Sequence, residues 1–388
     1  MKKKYLLLLV LFVMLLANQS AKAQTTDDVL NLLLNKNLIQ QEEADSIRAE
    51  FAIKQQDAKE KQKLFGINAK RPSSISGYIQ TRFQSFQQAG KADAMDIRRA
   101  RLDFRGTLNA FWDYRLQVDM AGVPKALDAI GTFKPYDFFK IQAGQFKIPL
   151  SMENNTPSNS MDVIERAQVV ETLVARNGDV NGNFNGRDIG VMGFGSLLKK
   201  DDRFLIDYYI GGFQGEGINV LDSNEAKDLG ARIILHPIKG LDIGAGYYNG
   251  YDKTGTFTPV AKNNVRTRIG GEFSYVYKII SVKGEYIYGE DGDYIKGKNG
   301  YSYIHTRREG WYAQLAAFVF QKKLQLVGRW DAYDSDIHKG GNATLNILGG
   351  VNYYFNDWAK LQVNYTSRNE SGTIVNNDII GAQLQIGF

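Results

Sequence analysis

The segment DIRRARLDFRG, residues 96–106, combines four arginines with a two-residue alternation. On an extended chain, one side would carry Arg99, Arg101 and Arg105. The other side would carry only apolar or small residues, namely Ala100, Leu102, Phe104, Gly106 and Leu108. A row of arginines in a narrow aqueous passage selects ions by the sign of their charge and concentrates the counter-ion. The segment therefore predicts a strand with one apolar face and one face that attracts anions.

The N-terminus indicates export. Three lysines are followed by an apolar run over residues 5–17 and then by Ala21, Lys22 and Ala23. This order is typical of a secretory signal peptide cleaved after Ala23. A membrane anchor is the alternative, but the run is shorter than the ~20 residues that a spanning helix needs. We therefore interpret residues 1–23 as a signal peptide.

Composition narrows the class of the exported chain. Of the 48 lysines and arginines, four precede the cleavage point, which leaves 44 against 42 acidic residues. This balance gives no support to nucleic-acid binding. The absence of cysteine excludes disulfides and thiolate metal sites, and we expect no metal or other cofactor. With 39 glycines, 21 tyrosines and no later apolar run of spanning length, the chain is either a secreted β-protein or an outer-membrane barrel.

Residues 24–71 differ from the rest of the chain. They contain apolar residues at loosely helical spacing, followed by a run dense in Lys, Gln, Asp and Glu. The pattern predicts a helical periplasmic lead-in, which is either a coiled-coil oligomerisation segment or a partly ordered linker.

From residue 72 to residue 388, apolar and polar residues alternate in sixteen segments. Short connections alternate with long ones, and residues 148–186 and 289–308 are predicted to be two of the long loops. An even number of strands with this alternation of connections is typical of bacterial outer-membrane barrels. The predicted fold class is therefore all-β, a 16-stranded antiparallel transmembrane β-barrel.

A soluble β-sandwich would also alternate, but two observations favour the membrane. Segments of ten or more residues match the ~9–11 that cross a bilayer at a tilt. Aromatic residues stand at segment ends, as the interfacial girdles of a barrel require. In such a barrel each arginine facing lipid at mid-membrane costs about 2–4 kcal/mol, so three would cost about 6–12, comparable to the stability of a whole domain. Arg99, Arg101 and Arg105 must therefore face the lumen, while Arg98, of opposite parity, is expected to reach the lipid headgroups.

The same parity rule predicts a lumen with more basic than acidic side chains. The arginines selected as pore-lining and anion-binding candidates are Arg82, Arg99, Arg101, Arg105, Arg115, Arg266, Arg268 and Arg329. The alternative is that individual arginines pair with neighbouring carboxylates and only stiffen the wall.

The loop at 148–186 is predicted to fold inward and narrow the pore, because connections of this length usually carry function. Asp162 and Glu165 have the spacing of a capping box at the start of a helix. Arg166 and Arg176 are the candidate arginines of the constriction. Alternatively, they pair with Glu165, Glu171 or acidic residues of the wall.

Several segments in order resemble the phosphate-selective porin O and P family. They are the lead-in LLLNKNLIQQEEADSIRAE, RRARLDFRG, WDYRLQVDMA, IQAGQFKIPLSMEN before the long loop, GRDIGVMGFG after it, and a terminal phenylalanine. The resemblance covers the whole mature chain. It implies a trimeric barrel in the outer membrane of a Gram-negative bacterium, in contact with lipid and lipopolysaccharide, through which small anions diffuse along a lumenal arginine ladder.

The resemblance also implies phosphate as the candidate solute, with the ladder carried by Arg99, Arg101, Arg105 and Arg115. Members specific for phosphate have several closely spaced arginines at the constriction, whereas this loop has only two, far apart. A general or other-solute porin and an adhesin or structural anchor remain alternatives. An enzyme is not expected, because the three histidines belong to no recognisable catalytic motif.

Overall fold

The computed structural model describes residues 26–36, 40–41, 43–44, 47–48, 73–176, 185–222, 225–251, 265–297, 300–320, 322–372 and 375–388. The chain divides into two units, residues 1–70 and 71–388. In the first unit, helix α1 spans Thr26–Asn35. The predicted signal peptide lies outside the described residues, and the oligomerisation role of the lead-in stays a prediction. Among the described residues, no helix is both long and apolar enough to span a bilayer.

The second unit is a closed antiparallel barrel of sixteen strands. The strands are Ser73–Phe86 (β1), Ala94–Asn109 (β2), Trp112–Asp119 (β3), Lys125–Tyr136 (β4), Phe139–Lys147 (β5), Arg187–Lys200 (β6), Arg203–Phe213 (β7), Asp228–Leu235 (β8), Leu241–Tyr251 (β9), Val265–Tyr277 (β10), Ile280–Gly297 (β11), Gly300–Phe320 (β12), Leu324–Asp334 (β13), Ala343–Tyr354 (β14), Ala359–Glu370 (β15) and Ile379–Gly387 (β16). Each strand pairs with its neighbour in sequence, and β1 pairs with β16 from Tyr78↔Gly387 to Phe86↔Ile379. Closure satisfies the backbone of every strand and leaves no free edge, which confirms the predicted fold class.

Short and long connections alternate around the barrel, with one exception. We call the end with the short connections, such as β2–β3 and β6–β7, the tight-turn end, and the opposite end the long-loop end. The prediction of a long loop at 289–308 is wrong. Strands β11 and β12 continue pairing through this region, from Ile280↔Ala317 to Gly297↔Gly300. Neighbouring strands pair with them only as far as Asp291 and Glu309, so the hairpin extends beyond the rim.

Alternation separates an apolar outer face from a polar inner face. Leu116, Leu315 and Trp330 are more than 40 % exposed on the outside, whereas the lumenal Arg101 and Asp119 are about 5 % exposed or less. Arg98 is the residue at which the parity rule fails. A β-bulge between the pairs Gln80↔Arg99 and Thr81↔Ile97 inserts Arg98 into the strand. Because a bulge re-aims the side chain that it inserts, Arg98 turns to Glu165 of the β5–β6 loop and not to the headgroup layer.

The connection between β5 and β6, which we call the inner loop, packs against the lumen wall. It contains helix α2, Met152–Asn155, a 3-10 turn, Ser158–Ser160, and helix α3, Gln168–Leu173. Its two ends meet at Gly186, whose N–H donates to Ala175 O (2.9 Å) and whose carbonyl accepts from Ile148 N–H (3.1 Å). Gly186 has a positive φ of 66°, and a Cβ there would overlap the Asn154 side chain, so only glycine fits this neck.

Apolar side chains of the inner loop form a core inside the barrel. The cluster joins loop residues to residues of strands β5, β6, β7, β9, β11 and β12, and its fully buried members include Phe146, Ile148, Leu150, Val170, Leu173, Phe213 and Ile287. Burial of apolar surface is favourable by about 25 cal/mol per Å². A hydrophobic core inside the barrel therefore holds the inner loop against the lumen wall.

Candidate pore and its lumenal charges

The start of α2 is bound by a carboxylate of the wall. Glu285 on β11 accepts hydrogen bonds from the N–H groups of Met152 (3.1 Å) and Glu153 (2.6 Å), and from the Tyr312 hydroxyl (2.8 Å). Glu153 accepts in turn from Ala167 N–H (2.8 Å) and pairs with Arg329 of β13. We call Glu153, Glu285, Arg329 and Asp331 the clamp.

The clamp also holds the start of α3. The Asp331 carboxylate accepts two hydrogen bonds from the N–H of Gln168, at 3.0 and 3.1 Å. The first N–H groups of a helix lack partners within the helix, and an anion at this end is favourable. Two wall carboxylates, Glu285 and Asp331, therefore fix the two helices of the inner loop.

The predicted capping box at Asp162 and Glu165 is wrong. The cap of α3 is Ala167, which makes no side-chain capping bond. Asp162 instead binds the wall, where its carboxylate pairs with Lys283 (2.6 Å) and accepts from Gln314 and Gln325. Partners more than a hundred residues away in sequence thus outcompete the local capping geometry.

Charge pairing keeps the loop carboxylates ionised. Burial alone would raise the pKa of Glu153, but Arg329 and Arg166 lower it below its ordinary value. Burial would likewise raise the pKa of Asp162, and Lys283 lowers it. Since both carboxylates are buried anions with cationic partners, removal of one partner would leave an uncompensated charge.

The two arginines predicted for the constriction are buried supports of the inner loop. Arg166 donates to the carbonyls of Glu153 and Thr156, and burial lowers its pKa. Arg176 pairs with Glu171 (3.2 Å) and donates to Asn154 Oδ1 (2.9 Å), while burial lowers its pKa to about 10. Both side chains are about 5 % exposed or less. They face protein rather than open space.

The arginine row of β2 lies on one side of the strand, as predicted, but most of it is paired. Arg101 pairs with Asp119 of β3 (2.8 Å) and donates to the hydroxyls of Tyr78 and Ser158. Arg105 pairs with Asp103 (2.6 Å) and keeps 55 % of its side chain exposed. Within the described residues, Arg99 donates only to the Gln80 amide oxygen (2.9 Å).

Arg115 lies directly opposite Arg105 on β3 and shares Asp103 with it. Arg115 also pairs with Asp128 (2.9 Å), which binds Arg187 at 2.6 Å. Three arginines thus share two carboxylates, and this small group keeps an excess of positive charge.

Four further candidates lie apart from this group. Arg82 contacts Asp96 and Glu165 at 2.5 Å each. Arg268 pairs with Asp291 (2.7 Å), and Arg266 lies 3.7 Å from the same carboxylate, near the long-loop end. Arg329 belongs to the clamp. The structure therefore groups Arg101, Arg105 and Arg115 together and separates them from Arg82, Arg266, Arg268 and Arg329.

Strands β2 to β8 form most of the wall of a cavity of about 1060 Å³ between the inner loop and the tight-turn end, and β1, β16 and the β14–β15 turn complete it. We call the lumenal surface of β2 to β8 the open wall. The residues that line the cavity include six basic and three acidic side chains; the basic residues are Arg101, Arg105, Arg115, Lys147, Arg187 and Arg232, and the acidic ones are Asp103, Asp128 and, from the β14–β15 turn, Asp357. Lys147 and Arg187, which were not among the predicted site residues, stand at the last position of β5 and the first of β6. Only the strand boundaries and the β5–β6 register, Lys147↔Arg187, could have revealed them.

His236 lies in the β8–β9 turn at the tight-turn end. Its ring nitrogens contact Asp242 Oδ1 (2.6 Å) and Asp207 Oδ2 (3.2 Å). Burial alone would lower the pKa of His236, but hydrogen bonds to these two carboxylates raise it above its ordinary value. In the part of the chain that the structure describes, no group of three or more His, Asp or Glu side chains could hold a metal ion.

Comparison with known proteins agrees with this architecture. The sequence model of the family described as phosphate-selective porin O and P matches residues 76–388. No curated protein matches the chain significantly.

Solved structures share the fold at low sequence identity. The anion-selective porin from Comamonas acidovorans is 13 % identical with a TM-score of 0.62, and the match covers 82 % of this chain and 100 % of that one. The in-vitro folded OmpT of Vibrio cholerae, described in its trimer form, is 12 % identical with a TM-score of 0.57, covering 82 % and 99 %. The OmpF of Salmonella typhi, in complex with daunomycin, is 12 % identical with a TM-score of 0.60, covering 82 % and 98 %.

Proposed function

The chain belongs to the phosphate-selective porin O and P family, and we propose that its barrel carries small anions along the open wall. The barrel is an outer-membrane porin, a channel for passive diffusion. The observation that carries the proposal is the charge along the cavity lining, where Arg105, Arg115 and Arg187 share only two carboxylates, Asp103 and Asp128. Fixed charge in a narrow passage enriches ions of the opposite sign.

Within this proposal, the exposed members of the arginine ladder are Arg105 and Arg115, and the buried Arg101 and Arg187 add charge behind them. Each of these has a carboxylate partner, so the ladder acts through its net charge and not through bare guanidinium groups. Phosphate is one solute that such a wall attracts, since guanidinium groups bind phosphate and carboxylate with the same fork of donors. The inner loop narrows the lumen and directs solutes to the open wall.

We also propose that the barrels assemble as a homotrimer in contact with lipopolysaccharide. The Vibrio cholerae outer membrane protein OmpT, described in trimer form, supports this assembly, because the match to its fold covers 82 % of this chain. Measurement of the mass of the detergent-solubilised protein by sedimentation tests it. Three copies per particle are expected, and a single copy contradicts the proposal.

Reversal potentials in planar bilayers test the anion preference directly. Under a salt gradient, the protein should show a potential of the sign expected for anion permeation. Arg105→Glu should shift this potential toward cation preference, because Arg105 is exposed in the cavity. Arg307→Glu is the matched control, since Arg307 is exposed on β12 outside the cavity lining. Cation preference of the unaltered protein, or equal shifts in the two variants, would contradict the proposal.

A further inference from the structure

The open wall has an apolar centre between its arginines. Ile130 on β4, Met192 on β6 and Tyr209 on β7 all line the cavity. Ile130 pairs directly with Arg115, and Tyr209 pairs directly with Arg232. Around the circumference of the barrel, the open wall therefore presents Arg115 first, then the apolar patch formed by Ile130, Met192 and Tyr209, and then Arg232.

Part of this patch is explained by the core beneath the inner loop, but not all of it. Ile130 and Tyr209 pack against that core and are still only partly buried. Tyr209 is stacked on Phe194 with ring centroids 6.0 Å apart, and among the described residues its hydroxyl has no hydrogen-bond partner. A channel wall that served only hydrated inorganic ions would gain nothing from apolar surface at this position, because exposing such surface to water is unfavourable.

The spacing fits a ligand with two unlike ends. Side chains that are directly paired across neighbouring strands have Cβ atoms about 4.5–5.5 Å apart. A ring lying on Ile130 therefore brings an attached anionic group to Arg115, and to Arg105 opposite it.

We propose that the open wall binds organic anions in which an apolar ring carries a phosphate or carboxylate group, and binds them better than inorganic phosphate. This inference rests on the proposed anion channel and names the class of solute that it selects. Its basis is the direct pairing of the partly exposed Ile130 with Arg115, which lies opposite Arg105, and the pairing of the second partly exposed apolar residue, Tyr209, with Arg232.

Block of ionic current through the full-length, membrane-inserted protein tests the inference, with phenyl phosphate and inorganic phosphate as probes. Both are compared well above the second pKa of inorganic phosphate, which is higher than the value of about 6 for an ester, so that both carry two negative charges. Because the phenyl ring would be partly buried, we expect phenyl phosphate to block half of the current at a concentration about ten-fold lower than inorganic phosphate needs. Equal half-block concentrations would overturn the inference.

Ile130→Asn removes the apolar surface at nearly constant size. It should abolish the preference for phenyl phosphate and leave block by inorganic phosphate unchanged. Thr132→Asn, two positions along the same strand and outside the cavity lining, is the matched control and should retain the preference. If Ile130→Asn does not fold, Tyr209→Thr tests the other side of the patch with the same expectation. A preference that survives in the folded variant contradicts the assignment.

The reversal potential separates this inference from the proposed function. An anion-preferring channel that phenyl phosphate blocks no better than phosphate refutes the ring site alone. A channel without anion preference refutes the proposed function, whatever phenyl phosphate does.

Discussion

The lumenal side chains of β11 to β15 bind the helices of the inner loop, whereas those of β2 to β8 line the cavity and contact the loop at fewer polar positions, such as Arg101 with Ser158. On the first surface, which we call the loop-bound wall, Glu285, Asp331 and Asn364 accept hydrogen bonds from loop N–H groups. On the open wall, Arg105 and Arg115 share carboxylates only with other residues of the strands. Both walls are polar and charged, so polarity alone does not distinguish a surface that solutes pass from a surface that binds the inner loop.

The difference between the two walls lies in how charge is balanced. In the clamp every charged group has a partner: Glu153 pairs with Arg329, and loop N–H groups donate hydrogen bonds to Glu285 and Asp331. The open wall is left with excess cations beside a cavity. One part of the barrel therefore fixes the width of the passage, and the other sets the charge that solutes meet.

The largest effect is expected from breaking the clamp. Glu153→Ala leaves Arg329 buried without its anion, which costs about 3–5 kcal/mol for a buried pair. The inner loop should detach locally, and single-channel conductance should rise while the barrel stays folded on its strand ladder. Glu272→Ala is the matched control. Glu272 pairs with Arg232 of the open wall, and in the described residues it binds no part of the inner loop. Unchanged conductance in Glu153→Ala, or the same rise in both variants, would remove the clamp from the account.

A smaller effect on ion selectivity is expected from replacing single arginines of β2, and it should differ between Arg105 and Arg99. Arg105 is 55 % exposed in the cavity, whereas Arg99 is 8 % exposed and outside its lining. Arg105→Gln should lower the ratio of anion to cation permeability by roughly two-fold, since one fixed charge of the passage is lost. Arg99→Gln should change the ratio less. The reverse order would show that the buried part of the row, and not the open wall, sets selectivity.

The smallest effect concerns pH. The raised pKa of His236 means that the protonated ring is favoured in the folded barrel. Protonated His236 therefore stabilises the folded barrel. This contribution is fully present below the ordinary histidine pKa of about 6.5 and is lost as the pH rises through the higher pKa of the folded state. Anion preference should therefore increase slightly on acidification through this window, because the ring gains charge beside Asp207 and Asp242. His236→Gln should flatten the profile, and an unaltered profile would show that another group titrates.

The barrel could be predicted from the sequence because its physical cause is local. Each strand alternates along its own length, and lipid on one side and water on the other impose that alternation on Arg99, Arg101 and Arg105 without knowledge of any partner. The prediction for Arg98 is wrong because the position of its side chain has a non-local cause. A bulge depends on the pairing with β1, and a single inserted residue reverses the parity.

The candidate site could be predicted only in part, for the same reason. The lumenal position of Arg101 follows from its own strand, but its pairing with Asp119 depends on the β2–β3 register. The sequence alone predicts that Arg166 and Arg176 face the constriction. Their burial depends instead on how the inner loop packs, which brings distant residues such as Glu153 and Arg329 together. The apolar centre of the open wall likewise depends on the strand pairing that brings together Ile130, Met192 and Tyr209 from three different strands.

Thiol labelling compares the two walls most directly, because the chain has no cysteine of its own. Single cysteines are introduced on the open wall at Arg105 and Tyr209, and on the loop-bound wall at Gln314 and Gln362, which are 2 % and 1 % exposed. An anionic, membrane-impermeant thiol reagent is then added while current is recorded. We expect rapid loss of current for the two open-wall cysteines and no reaction at the two beneath the inner loop. Rapid reaction at Gln314→Cys or Gln362→Cys, with the open-wall cysteines inert, would contradict this expectation.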